Sequence, residues 1–341
     1  MTKSGGKGLD KGATVGALGA LATAKTMFDV LREVSFDYIR DEATRTPRVL
    51  VLAESDAEAD AIARLLTGSE TLVGVGLGTL ATPVADPAGY DAIVVRDNAG
   101  GQVAQRLRER WADPDRPSAV FEVAEGPFTK VEADGLRGAI ACLIGDRGLA
   151  FARRYPAFRP DVVAEIVQDT AMANAQFALL ANLPSLIPVL GGLASASADM
   201  IVMTKNQLMM VYKIAAAHGR NLDDQVGIVR EMAPVVGTGF VWRTVAREAT
   251  SFVPFAAGTV PKIAIAFTGT YAAGRAADFF YRYGYKPNRP QRAEFYQQAR
   301  AALGRVTFRR KGTAAPEAVV DGAGLVPTPP AAAAVVEPQA S

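Results

Sequence analysis

Residues 49–60 read Val49-Leu50-Val51-Leu52-Ala53-Glu54-Ser55-Asp56-Ala57-Glu58-Ala59-Asp60. Four consecutive apolar side chains without polar alternation describe a strand covered on both faces, the signature of a parallel sheet. A helix follows at once. Ser55 stands three residues before Glu58, the spacing of a capping box, and the helical pattern of Glu54 onward runs to Leu66. A strand running directly into a helix is the repeating unit of an α/β domain. Working outward, residues 92–95 give a second buried strand followed by a helix over 102–111, and residues 119–123 give a third strand. Residues 47–145 therefore read as a small α/β domain with a parallel sheet.

The loop after the first strand is where such a domain carries its phosphate-binding glycines. A phosphate loop needs G-x-x-x-x-G-K-[ST]: backbone N–H groups wrap the phosphates, lysine reaches their oxygens and the hydroxyl takes magnesium. Here the same positions hold Ala53 to Asp60, with both glycines missing, alanine in the lysine slot and aspartate in the hydroxyl slot. Glu54, Asp56, Glu58 and Asp60 repel a triphosphate, but Asp56 and Glu58 suit the positive end of a helix. The helix supplies its own anions where a nucleotide would bring phosphates. Gly74-x-Gly76-x-Gly78 has the outline of a dinucleotide loop, but Thr82-Pro83-Val84-Ala85-Asp86-Pro87 after it is no helix, so it reads as a plain loop. Asp97, after the second strand, reads as a turn or helix cap.

Catalytic alternatives fail on composition. The chain of 341 residues holds one cysteine and one histidine. That excludes a disulfide scaffold, a multi-cysteine zinc site and any two-histidine arrangement. His218-Gly219 reads as a helix C-terminus, imidazole at the negative end and glycine in the left-handed cap. Cys142, in Ala139-Ile140-Ala141-Cys142-Leu143-Ile144, reads as a core thiol. No catalytic residue, metal ligand or cofactor-binding residue is expected. The overall balance of 37 basic and 35 acidic side chains excludes a uniformly basic nucleic-acid binder.

Outside the α/β domain the pattern is helical. Residues 1–46 form an N-terminal segment in which Phe28, Val30, Leu31, Val34 and Ile39 mark an amphipathic helix to about Arg40, in place of a cleaved signal. Residues 146–311 form a helical domain, and the Pro/Ala-rich residues 312–341 form a tail without regular structure. Between Asp169 and Asp199 no side chain is charged, and Pro184, Pro188, Gly191 and Gly192 break this interval into a helical hairpin. Asp199, costly in lipid, belongs near a helix end or against a partner. From Arg275 to Lys311 there are ten basic against two acidic side chains, with Phe279, Phe280, Tyr281, Tyr283 and Tyr285 at the start. Aromatics beside a polybasic stretch suit an anionic membrane surface on the cytoplasmic side. Arg282, Lys286, Arg289, Arg309, Arg310 and Lys311 are the expected contacts. No recognised nucleic-acid motif accompanies them.

Ile187-Pro188 and Leu190-Gly191-Gly192 lead to Asp199, then Gln207, Met209-Met210, Lys213-Ile214-Ala215 and His218-Gly219. With Ala152-Arg153-Arg154-Tyr155-Pro156 and Ala173-Asn174-Ala175 upstream, residues of about 150–285 resemble the GTPase-associated domain of unknown function 697. The resemblance implies association with membranes and with GTPase domains. It makes residues 47–145 look like a degenerate P-loop GTPase-like domain, a pseudo-GTPase, followed by an all-α domain. The expected function is a non-catalytic, membrane-associated scaffold or regulator whose partner is an active GTPase or a second copy of the chain. The alternatives are an atypical nucleotide-binding hydrolase and a soluble helical interaction protein in the cytoplasm.

Overall fold

The computed structural model describes residues 35–97, 100–124, 126–180, 195–236, 259–305 and 319–320. These form two compact units. The helical unit comprises residues 35–45 and 145–305, and the α/β unit comprises 46–144 with 319–320. The α/β unit is thus inserted in the helical one, and the N-terminal helix α1 (Asp37–Thr44) is part of the helical unit. Phe36, 1% exposed, explains this placement: its ring packs 4.4 Å from that of Tyr212, far along the same unit. The described part of α1 ends at Thr44, later than the Arg40 that apolar spacing suggests.

In the α/β unit the strands are β1 (Val49–Ala53), β2 (Val75–Thr79), β3 (Ala92–Val95) and β4 (Val120–Val123). All pair in parallel in the order β2-β1-β3-β4, and the two-residue β5 (Val319–Val320) lies parallel beside β4. The expected structureless tail otherwise lies outside the described residues. Helices α2 (Asp56–Thr67), α3 (Gln102–Glu109) and α4 (Lys130–Ile144) complete the unit. Leu50, Leu52, Ile93, Val95 and Val120 pack against Ala104 and Leu107 in its core. Each large apolar side chain buried there contributes roughly 1.5–3 kcal/mol before ordering costs.

Two expectations are corrected in this unit. Residues 75–79, read as loop, form the strand β2, because the glycines admit close packing: a Cβ at Gly76 would stand 3.3 Å from Leu50 Cδ1. Poor intrinsic strand propensity is overridden by pairing with the buried β1. Cys142, read as a core thiol, is exposed. The buried stripe of α4 is Ala133, Leu136, Arg137, Ile140 and Ala141, and Cys142 falls off it.

The helical unit continues with α5 (Gly148–Arg154), α6 (Arg159–Leu180), α7 (Ser195–Ala217), α8 (Gln225–Val236), α9 (Thr259–Tyr283) and α10 (Arg289–Arg305). Pro261 sits in the first turn of α9, where a missing N–H costs nothing, so the helix runs through to Tyr283. Phe267 of α9 is buried with Ala171, Ala175 and Ala302. At Gly274 α9 approaches α6 so closely that a Cβ would stand 2.5 Å from Val167 Cγ2. No helix among the described residues is long and apolar enough to cross a membrane.

Candidate functional site

The chain leaves β1 toward β2 on one side and reaches β3 on the other. The crevice beyond the carboxyl ends of β1 and β3 is the switch point where open parallel sheets bind ligands. In this chain that crevice is bridged by its own side chains. Ser55 caps α2, its Oγ accepting the Glu58 N–H at 3.3 Å, and Glu58 Oε2 accepts the Glu54 N–H at 3.3 Å. The Ser55 half of the capping box that the spacing predicts is made, while Glu58 reaches one residue further back, to the N–H that precedes the cap. The other carboxylate oxygen, Glu58 Oε1, lies 2.9 Å from Nε of Arg96, the residue that follows β3. That contact is an ion pair without a hydrogen bond from Nε, and the guanidinium donates through Nη2 to the carbonyl of Gly126, beyond β4. Its side chain is 11% exposed, so the cation is held between α2 and the loop after β4.

The remaining acids of the first turns are engaged locally or exposed. Asp60 Oδ2 accepts from Arg64 Nε at 2.6 Å, which raises the Arg64 pKa, and Asp56 is exposed. Asp97 Oδ2 accepts the Val103 N–H at 3.1 Å and so caps α3, as expected of it. Beside it, a Cβ at Gly101 would collide with the Glu122 carboxylate. No group of three or more metal-ligating side chains occurs among the described residues. The sequence reading missed Arg96. Its signal was position: an arginine directly after a strand that neighbours β1 must emerge beside the N-terminus of α2.

The helical unit holds a second polar cluster, at the end of α7. Gly219, at φ +81°, donates to the Ala216 carbonyl at 3.0 Å and Arg220 N–H to that of Ala215 at 3.0 Å, closing the helix as His218-Gly219 predicts. Arg153 adds bonds to the carbonyls of Ala216 at 3.2 Å and Arg220 at 2.9 Å. No local pattern reveals what His218 meets: its Nε2 lies 2.9 Å from Asp278 Oδ1 on α9. Asp278 also accepts from Arg282 at 3.1 Å and Arg275 at 3.5 Å. Burial opposes its charge, but the hydrogen bond to His218 and the two guanidinium groups prevail and hold its carboxyl below the usual value. Tyr281 stacks on the His218 ring at 5.9 Å, and burial, with Glu231 nearby, pushes its phenol well up.

The expected membrane contacts are now placed. Arg282, Lys286 and Arg289 are exposed at the junction of α9 and α10, and Arg282 is tied to Asp278. Arg309, Arg310 and Lys311 lie outside the described residues, as do the hairpin residues Pro184, Pro188, Gly191 and Gly192. Asp199 lies in the first turns of α7. Comparison with protein-family models, curated proteins and solved structures found no match.

Proposed function

We propose that this protein is a non-catalytic, membrane-associated scaffold or regulator, with a pseudo-GTPase domain inserted in a helical domain of the 697 kind. The observation that carries the reading is the Arg96 bridge: at the switch point, Glu58 and Arg96 already neutralise each other and the α2 terminus is already capped. A phosphate would have to break the ion pair and displace the Ser55 cap. It would find none of the glycine N–H groups or the lysine that make such sites bind. Strand order alone does not argue for a GTPase, because β2-β1-β3-β4 is also the flavodoxin-like order. The GTPase ancestry and a GTPase partner rest on the resemblance of residues 150–285.

Membrane association on the cytoplasmic face is supported by the basic residues after α9 and by their aromatic neighbours. With no crossing helix among the described residues, the contact proposed for them is peripheral. The test of the pseudo-GTPase reading is thermal melting with saturating GTP or ATP and magnesium. The melting temperature should not move. A ligand at a hundred times its Kd adds about 2.7 kcal/mol, a rise of roughly 10–20 °C for a domain of about 100 residues, and a saturable rise of that kind overturns the reading.

A further inference from the structure

We propose that the turn between α9 and α10 is the element that touches the membrane, an aromatic and cationic wedge fitted to the phosphates of an anionic bilayer. This rests on the membrane reading above and names its site. The turn is fixed at both ends. Gly284, at φ +77°, ends α9 by donating to the Phe280 carbonyl at 2.7 Å. Asn288 and Gln291 cap α10 reciprocally at 2.8 and 3.0 Å. Five residues, Gly284 to Asn288, are thus held between two closed helix ends.

The aromatic residues near the turn divide in two. Tyr281 turns to His218, and Phe295 is buried at 7% exposure. Tyr283 and Tyr285 are 54% and 56% exposed, yet neither is loose. Their rings pack 4.6 and 5.2 Å from that of Phe279, which itself lies 6.1 Å from Phe295. Two rigid, half-exposed tyrosines present an apolar body with a polar tip, the form that sits at the headgroup level of a bilayer. Being already ordered, they lose little freedom on binding.

Along the chain the turn is flanked by cations. From Phe279 to Ala293 the chain carries Arg282, Lys286, Arg289 and Arg292 and no acidic side chain. Lys286 and Arg289 are exposed. The acid that precedes this stretch, Asp278, is buried and pairs with Arg275 and Arg282, and the exposed Glu294 follows the stretch, so Lys286 and Arg289 are the exposed cations of the turn that no ion pair among the described residues engages. Such a patch complements lipid phosphates, each cation near the surface contributing about 1 kcal/mol. A bilayer fits better than single-stranded nucleic acid, whose bases need open ring faces to stack on, because both tyrosines already pack against Phe279.

The experiment is co-sedimentation of the full chain with phosphatidylcholine vesicles, with and without phosphatidylserine. Two double variants are compared, Lys286→Gln with Arg289→Gln and Tyr283→Ser with Tyr285→Ser, each checked for an unchanged far-ultraviolet circular dichroism spectrum. Binding should require phosphatidylserine and weaken with salt. The charge variant should bind about 10- to 30-fold less, and the tyrosine variant several-fold less. If the parent chain binds and both variants bind equally well, the wedge is wrong and the membrane reading stands. If the parent chain binds neither vesicle, the membrane reading fails and the wedge with it. Binding of single-stranded DNA in place of vesicles, lost in the charge variant, reassigns the surface to nucleic acid and overturns the proposal.

Discussion

The α/β unit and the helical unit settle their polar groups in different places. In the α/β unit the helix caps join neighbours in sequence at exposed ends, as Ser55 does with Glu58, while buried Arg96 and Arg137 reach distant partners, Glu58 and the carbonyls of Leu65 and Leu66. In the helical unit the contacts compared with those caps are interior and join distant residues. His218 meets Asp278, and Asn174 of α6 donates to Thr270 of α9 at 2.9 Å while accepting from Asn206 of α7 at 2.8 Å. The difference teaches that a contact at an exposed helix end, such as the Ser55 cap, can be lost to water, whereas His218 with Asp278 and Asn174 with Thr270 cannot. A buried group stripped of its partner carries its whole desolvation cost.

The largest effect should follow from Asp278→Asn. Removing the carboxylate leaves Arg275 and His218 facing a neutral group in the interior, and the loss expected is about 3 kcal/mol at neutral pH. The pH dependence has a definite sign. Because the Asp278 carboxyl is held below its usual value in the fold, its stabilisation is complete above the usual carboxylate range and fades as pH falls through the folded value. Parent and variant unfolding curves, measured in denaturant across pH, should therefore converge in acid. A gap that stays constant breaks the contrast with the exposed caps of the α/β unit.

Asn174→Ala should come next. Asn174 and Thr270 are fully buried, so the change strands the Thr270 hydroxyl and the Asn206 amide and should cost about 2 kcal/mol. The smallest effect belongs to Ser55→Ala, at about 1 kcal/mol, because water can replace the lost cap at an exposed helix end. Equal losses for Asn174→Ala and Ser55→Ala in the same denaturant titration would erase the distinction between the units.

The same contrast decides how much could be read from the chain. Val49-Leu50-Val51-Leu52 declared a buried parallel strand, and Ser55-x-x-Glu58 declared its cap, because both signals lie within one turn or one strand. The His218-Gly219 helix end was legible for the same reason. Arg96, thirty-eight residues beyond Glu58, and Asp278, sixty beyond His218, were not, since only the packing of strands and helices brings them together. The strand β2 was hidden by Gly74, Gly76 and Gly78, whose local preference is for turns and whose place is set by β1. The membership of α1 in the helical unit was hidden likewise, because Phe36 finds Tyr212 only across the inserted domain's sequence.

Glu58 and Arg96 meet at the switch point of the sheet, and on the proposed function they leave no place there for a nucleotide. Calorimetric titration of the full chain with GTP and magnesium tests it most directly. The account predicts heats of dilution alone, for the parent chain and for Arg96→Ala alike. A saturable one-to-one isotherm in the parent chain, abolished by Arg96→Ala, would contradict it, because Arg96 would then be gripping phosphate.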